Sequence, residues 1–257
     1  MDRLIYTAMT AMNAAMDRQR VTANNLANAS TPGFRQEIFA VTPATLKDGS
    51  IEARAMARGN VRGADMTAGR VTPTGNPLDV AMEGEALLAF QGPDRQGPNG
   101  GGEVYSRRGD LRVAPSGVLE NGEGLAVLGQ SGAPITVPPG FAISIAADGT
   151  ILASDPAAGD APAEPIDRLR LVNPQGSPLA KGIDSFLKVP TATGANGVLP
   201  PDLTARLTPG ALEQSNVETA DTLVQMIEAQ RAFEQRATII RTAEELDEAS
   251  SELLMMR

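Results

Sequence analysis

The stretch Ala23-Asn24-Asn25-Leu26-Ala27-Asn28-Ala29-Ser30-Thr31-Pro32-Gly33-Phe34-Arg35 holds the only proline and the only glycine of the first 35 residues. Proline lacks an N–H and glycine tolerates turn conformations, so a helix arriving at Asn28 ends in the turn Ser30-Thr31-Pro32-Gly33. Upstream of that stop the apolar residues Ile5, Met9, Met12, Met16, Ala23 and Leu26, with Gln19 among them, follow spacings of four and three. That spacing puts them on one face of a helix over 3–28.

The rest of the chain is punctuated quite differently. Residues 213–257 contain neither glycine nor proline, so the other 25 glycines and 18 prolines all fall in the middle. Long helices are excluded there and permitted at both ends. Leu223, Met226, Ile227, Phe233 and Ile240 mark the apolar face of a second helix over 217–256, and Ser215-Asn216-Val217-Glu218 reads as its capping box, with Ser215 and Glu218 as the cap. Residues 213–257 carry 4 Arg against 10 acids, or −6, and residues 1–35 carry 4 Arg against 2 Asp, or +2. The two ends are electrostatically suited to pair. The expectation is a coiled-coil-like core of these helices, whose seam (Ile5, Met9, Met12, Met16, Leu26, Leu223, Met226, Ile227, Phe233, Ile240) becomes fully buried between subunits.

Between the ends, short apolar runs alternate with turn residues. Val118-Leu119 and Leu125–Leu128 flank Asn121-Gly122-Glu123-Gly124, and Ile143–Ala146 and Thr150–Leu152 flank Ala147-Asp148-Gly149. Both are hairpin signals. The middle is therefore expected to be an antiparallel sandwich or barrel-like domain, and the whole chain α+β. Glycine-rich 92–103 and Ala/Pro/Asp-rich 154–165 read as surface loops. The expected division is 1–35 plus 213–257 as a helical core, 36–75 plus 190–212 as a connecting region, and 76–189 as an outer β-rich domain.

Composition narrows the chemistry. The 257 residues include no His and no Cys, which removes imidazole bases, thiolate nucleophiles and His/Cys metal sites. Net charge is −9 and there is no Trp, so neither a phosphate-binding basic stripe nor an aromatic stacking platform is expected. No cofactor, metal, catalytic residue, nucleic acid, membrane insertion or small-molecule substrate is expected. No apolar run resembles a secretory signal or a membrane span.

Asn24, Asn25 and Asn28 are costly in a helix, because their amides compete for backbone bonds. They read as directional contacts to neighbouring subunits. Asn24-Asn25-Leu26-Ala27-Asn28 followed by Ser30-Thr31-Pro32-Gly33-Phe34 resembles the N-terminal signature of the flagellar basal-body rod protein family, the rod and hook axial proteins. The resemblance continues through Asn76-Pro77-Leu78-Asp79-Val80-Ala81, Tyr105-Ser106-Arg107-Arg108-Gly109, Pro134–Pro138 and Gly210-Ala211-Leu212-Glu213-Gln214-Ser215-Asn216-Val217. Met226–Glu234 matches as well, so the likeness runs over nearly the whole chain. Met1–Met9 and Gly63-Ala64-Asp65-Met66-Thr67 are most similar to the proximal-rod members, with distal-rod and hook-type members as the alternative.

The resemblance implies a structural subunit that polymerises through its terminal helices to transmit torque across the periplasm. Its implied partners are copies of itself, other flagellar rod proteins and the flagellar type III export apparatus, with no cleaved signal peptide. A carboxylate-based peptidoglycan hydrolase is the alternative from another class. Three short matches are read as incidental: Arg108-Gly109-Asp110, Asn28-Ala29-Ser30 and Asp148-Gly149-Thr150.

Overall fold

The computed structural model describes residues 2–48, 51–92, 102–156, 162–182, 184–190 and 196–255. Most of the first expected surface loop, residues 93–101, and part of the second, residues 157–161, lie outside the described residues. The chain divides into two compact units: one made of 1–29, 37–65 and 217–257, the other of 30–36 and 66–216.

In the first unit, helix α1 (Asp2–Ala27) and helix α2 (Thr219–Met255) occupy the two glycine-poor ends. Strands β1 (Glu37–Asp48) and β2 (Ile51–Ala64) form a long antiparallel ribbon, with register shifts between Ile38 and Phe39 and between Leu46 and Lys47. Both helices and the ribbon belong to one packed body, with α1 against α2 and against β2.

The second unit is a patchwork of strands two to five residues long. Its largest sheet has six strands and runs Leu171–Val172, Leu87–Gln91, Glu103–Ser106, Leu187–Pro190, Ala180–Lys181, with Asn196–Gly197 also paired to Leu187–Pro190. A three-stranded sheet is built from Ala142–Ile145, Thr150–Ser154 and Glu164–Arg168, the first two joined by the Asp148-Gly149 turn. Three further two-stranded pairs complete it, among them Leu207–Pro209 with Val80–Met82. The hydrophobic core lies here. Leu88, Phe90, Val104, Leu119, Val127 and Ile151 are fully buried, and the Phe90 and Phe186 rings meet at 6.2 Å.

Two expectations are overturned. The fold is not an α+β arrangement built on a coiled-coil core of long terminal helices: among the described residues 26% are helix against 34% strand, and the core cluster contains no helical residue. Nor is the middle one sandwich or barrel, because frequent turns cut the strands too short for two facing sheets and leave several small ones. The physical reason for the first correction is where the helices bury themselves. On α1 the buried side chains are Ala14, Ala15, Val21, Thr22 and Asn25; on α2 they are Thr222, Ala229 and Ala243. Small residues let helix backbones approach closely. The large apolar row of α1 lies roughly a third of a turn round from that face.

Candidate assembly interface

The expected seam residues divide by exposure. Met9 is 45% exposed, Met16 51%, Leu223 46% and Ile227 52%. Met12, Leu26, Met226, Phe233 and Ile240 are half-buried and rim the small-residue contact. The side chain of Ile5 lies outside the described residues. Tyr6, Val224, Ile239 and Leu246 add to the exposed set. Single apolar side chains are ordinary on a protein surface, and it is their number on these two helices that sets them apart.

The asparagines make their hydrogen bonds within the chain. Asn25 is buried, accepts the Glu37 amide through Oδ1 at 2.8 Å and donates Nδ2 to the Glu37 carbonyl at 3.0 Å. One side chain thus satisfies both backbone groups of the residue that opens β1. Asn24 donates to Glu37 Oε1 at 2.7 Å, and Asn28 donates back to the Asn24 carbonyl and to Asn24 Oδ1 at 2.9 and 3.0 Å. All three fix the start of the ribbon against the end of α1, within one chain.

Helix α2 starts at Thr219, and the Glu218 carbonyl accepts the first intrahelical bond, from Thr222 N–H at 3.0 Å. On either side of Ser215, Gln214 N–H donates to the Arg70 carbonyl at 2.8 Å and Asn216 Oδ1 accepts the Gln36 amide at 2.7 Å.

Within the β-rich unit, three of the motifs converge on one carboxylate that the sequence did not single out. Glu213 is 1% exposed and receives Arg35 Nη2 at 2.8 Å, Arg107 Nε at 2.6 Å and the Gly69 amide at 2.7 Å. Arg107 is filled on its other side by the carbonyls of Gly84, Ala86 and Met82 at 2.6, 3.0 and 2.5 Å, and Arg35 also donates to the Thr67 carbonyl. Gly33 donates its N–H to the Glu213 carbonyl at 2.7 Å. Its φ is +67°, and a Cβ there would stand 2.2 Å from the Arg107 carbonyl carbon, so the turn lies flat on that backbone and only glycine fits. Lys181 closes the group, Nζ 2.6 Å from the Arg35 carbonyl and 3.5 Å from the Phe34 ring centre. The one signal in sequence is that Glu213 is the sole charge between Leu207 and Val217.

The central acids are engaged structurally. Asp79 accepts from Thr74 Oγ1 at 2.6 Å and Asn76 Nδ2 at 2.9 Å, and Asp184 pairs with Lys188 at 2.7 Å. Arg108 and Asp110 are bonded to each other at 2.6 and 2.8 Å, and Arg108 also holds Glu123, so that tripeptide is closed on itself. Asp148 accepts the Thr150 amide and hydroxyl, and these bonds hold its carboxyl below the usual carboxylate range. No group of three or more potential metal-ligating residues occurs among the described residues.

Comparison with known proteins agrees with this layout. Residues 5–35 match the family described as "Flagella basal body rod protein", and residues 208–253 match "Flagellar basal body rod FlgEFG protein C-terminal". The chain is 39% identical to the flagellar basal-body rod protein FlgF of Salmonella typhimurium and to that of Escherichia coli, covering 100% of both partners in each case. It is 28% identical to the rod protein FlgG of Bacillus subtilis, over 95% of this chain and 96% of that one.

Proposed function

The chain belongs to the flagellar basal-body rod protein family, and from that premise we propose that it is a proximal-rod subunit that polymerises through α1 and α2. It is a structural component of the basal-body rod, assembled with other rod components, and not an enzyme. The full-length 39% identity to two FlgF proteins, against 28% for a FlgG, supports the proximal assignment. The observation that carries the assembly mode is the exposed apolar row on both helices: Tyr6, Met9 and Met16 on α1, Leu223, Ile227 and Leu246 on α2. Contacts between such unlike patches are head-to-tail, and where their rotation does not close they build a helical tube.

Passage through the flagellar type III export apparatus without cleavage of a signal belongs to the same proposal, as does torque transmission across the periplasm. The hydrolase alternative has no support in the structure, where Asp79, Asp110, Asp148 and Asp184 each have a structural partner. The test is complementation of a strain lacking this chain with Met9→Ser and Ile227→Ser variants, followed by imaging of basal bodies. Truncated rods and lost motility are expected from variants that fold normally; complete rods from both would defeat assembly through these faces.

A further inference from the structure

The turn 30–36 follows α1 early in the chain, yet everything that pins it arrives later. Gly33 N–H and the Arg35 guanidinium go to Glu213, Gln36 N–H goes to Asn216, the Arg35 carbonyl takes Lys181, and Arg35 also reaches the Thr67 carbonyl. The Arg35–Lys181 and Gln36–Asn216 contacts span 146 and 180 residues. Closing loops of that size is entropically unfavourable until the intervening chain is compact. Electrostatics points the same way. Arg35 and Arg107 are both about 3% exposed as side chains and share one carboxylate, so burying either before Glu213 is in place leaves an uncompensated charge.

We infer that Glu213 is the positioning residue that admits the 30–36 turn to the β-rich unit, and that this turn docks last, once the C-terminal segment has taken its place. The α1 side of the chain then stays uncommitted while residues near 213 are still missing. That timing suits a subunit delivered as an unfolded chain, a use that rests on the export reading above; the order of docking does not.

Two hydrogen-exchange measurements on the full-length protein test it. In pulse-labelled refolding of the unaltered chain, Gly33 and Gln36 amides should gain protection after those of Ala89 and Leu128, which are bonded inside the sheet region at 3.1 and 3.0 Å. Simultaneous or earlier protection overturns the inference. In the folded state, Glu213→Gln should speed exchange of Gly33 and Gln36 by roughly 100-fold or more while Ala89 and Leu128 stay slow, and Glu213→Asp, which keeps the charge, should restore most of the protection. Unchanged Gly33 and Gln36 exchange in the Gln variant overturns it. So does uniform loss of protection, because Glu213 is then a general element of the fold. Neither measurement involves assembly, so this inference and the rod-subunit reading fail separately.

Discussion

Phe90 and Ile227 are both large apolar side chains, and the two units treat them oppositely. Phe90 is fully buried in the β-rich unit, stacked at an angle on Phe186, while Ile227 on α2 is 52% exposed. The β-rich unit also satisfies its buried charges internally, around Glu213 and around Arg170, which bonds Glu103 and the Leu199 carbonyl. The described helices bury alanines and threonines and leave Met9, Met16, Leu223 and Ile227 about half exposed. One unit closes on its own apolar side chains; the other leaves several of them at its surface.

That contrast is open to direct attack by substitution. The largest effect is expected from Phe90→Ala, which should lower the unfolding free energy by ~3–5 kcal/mol in urea titrations, since the site is closed on all sides. A loss under 1 kcal/mol would mean that the β-rich unit is not the stable half. Next comes Asn25→Leu. It strips partners from both backbone groups of Glu37 and should cost roughly 1–3 kcal/mol per group left unsatisfied. Asn25→Asp, which keeps the acceptor for the Glu37 amide, should cost less; equal stability of all three proteins would return Asn25 to the subunit surface.

Ile227→Ala should change monomer stability by less than about 0.5 kcal/mol, because the side chain is already half in water. Its effect belongs in assembly, read by sedimentation of polymerised material. A destabilisation as large as that of Phe90→Ala would erase the distinction between the units. The smallest effect concerns acid. Thr150 holds the Asp148 carboxyl below its ordinary value, so this contribution is present above the unfolded carboxylate pKa of about 3.9 and is lost as pH falls through the lower folded value. Asp148→Asn should therefore flatten only the acid limb of a stability profile; a change centred near neutral pH would contradict the assigned cause.

The positions of the two helices follow from the absence of glycine and proline at 1–28 and 213–257, and the Asp148-Gly149 hairpin from its turn residues. Local backbone preference carries that information. Which residues α1 and α2 bury within the chain is less legible, because a row of Met, Leu and Ile outweighs small residues when burial is judged by size alone. Ala15, Thr22, Thr222 and Ala229 give a weaker periodic signal, yet they permit the closer approach. Gln214 and Asn216 were not legible as anchors, because their partners lie far off in sequence, at 70 and 36. The Glu213 cluster was illegible for the same reason, since no local pattern joins residues 35, 69, 107 and 213. Gly33 was read as a helix stop, when its deeper constraint is the Arg107 backbone beneath it.

Thr222, Ala229 and Ala243 are seven and fourteen residues apart along α2, and among the described residues α2 packs broadly against α1. The seven-residue step between Ala229 and Ala243 falls on Arg236, which is half-buried. Sliding α2 by that step, about 10 Å at 1.5 Å per residue, would bring a guanidinium to the seat of an alanine, so the small-residue face favours one register over gliding.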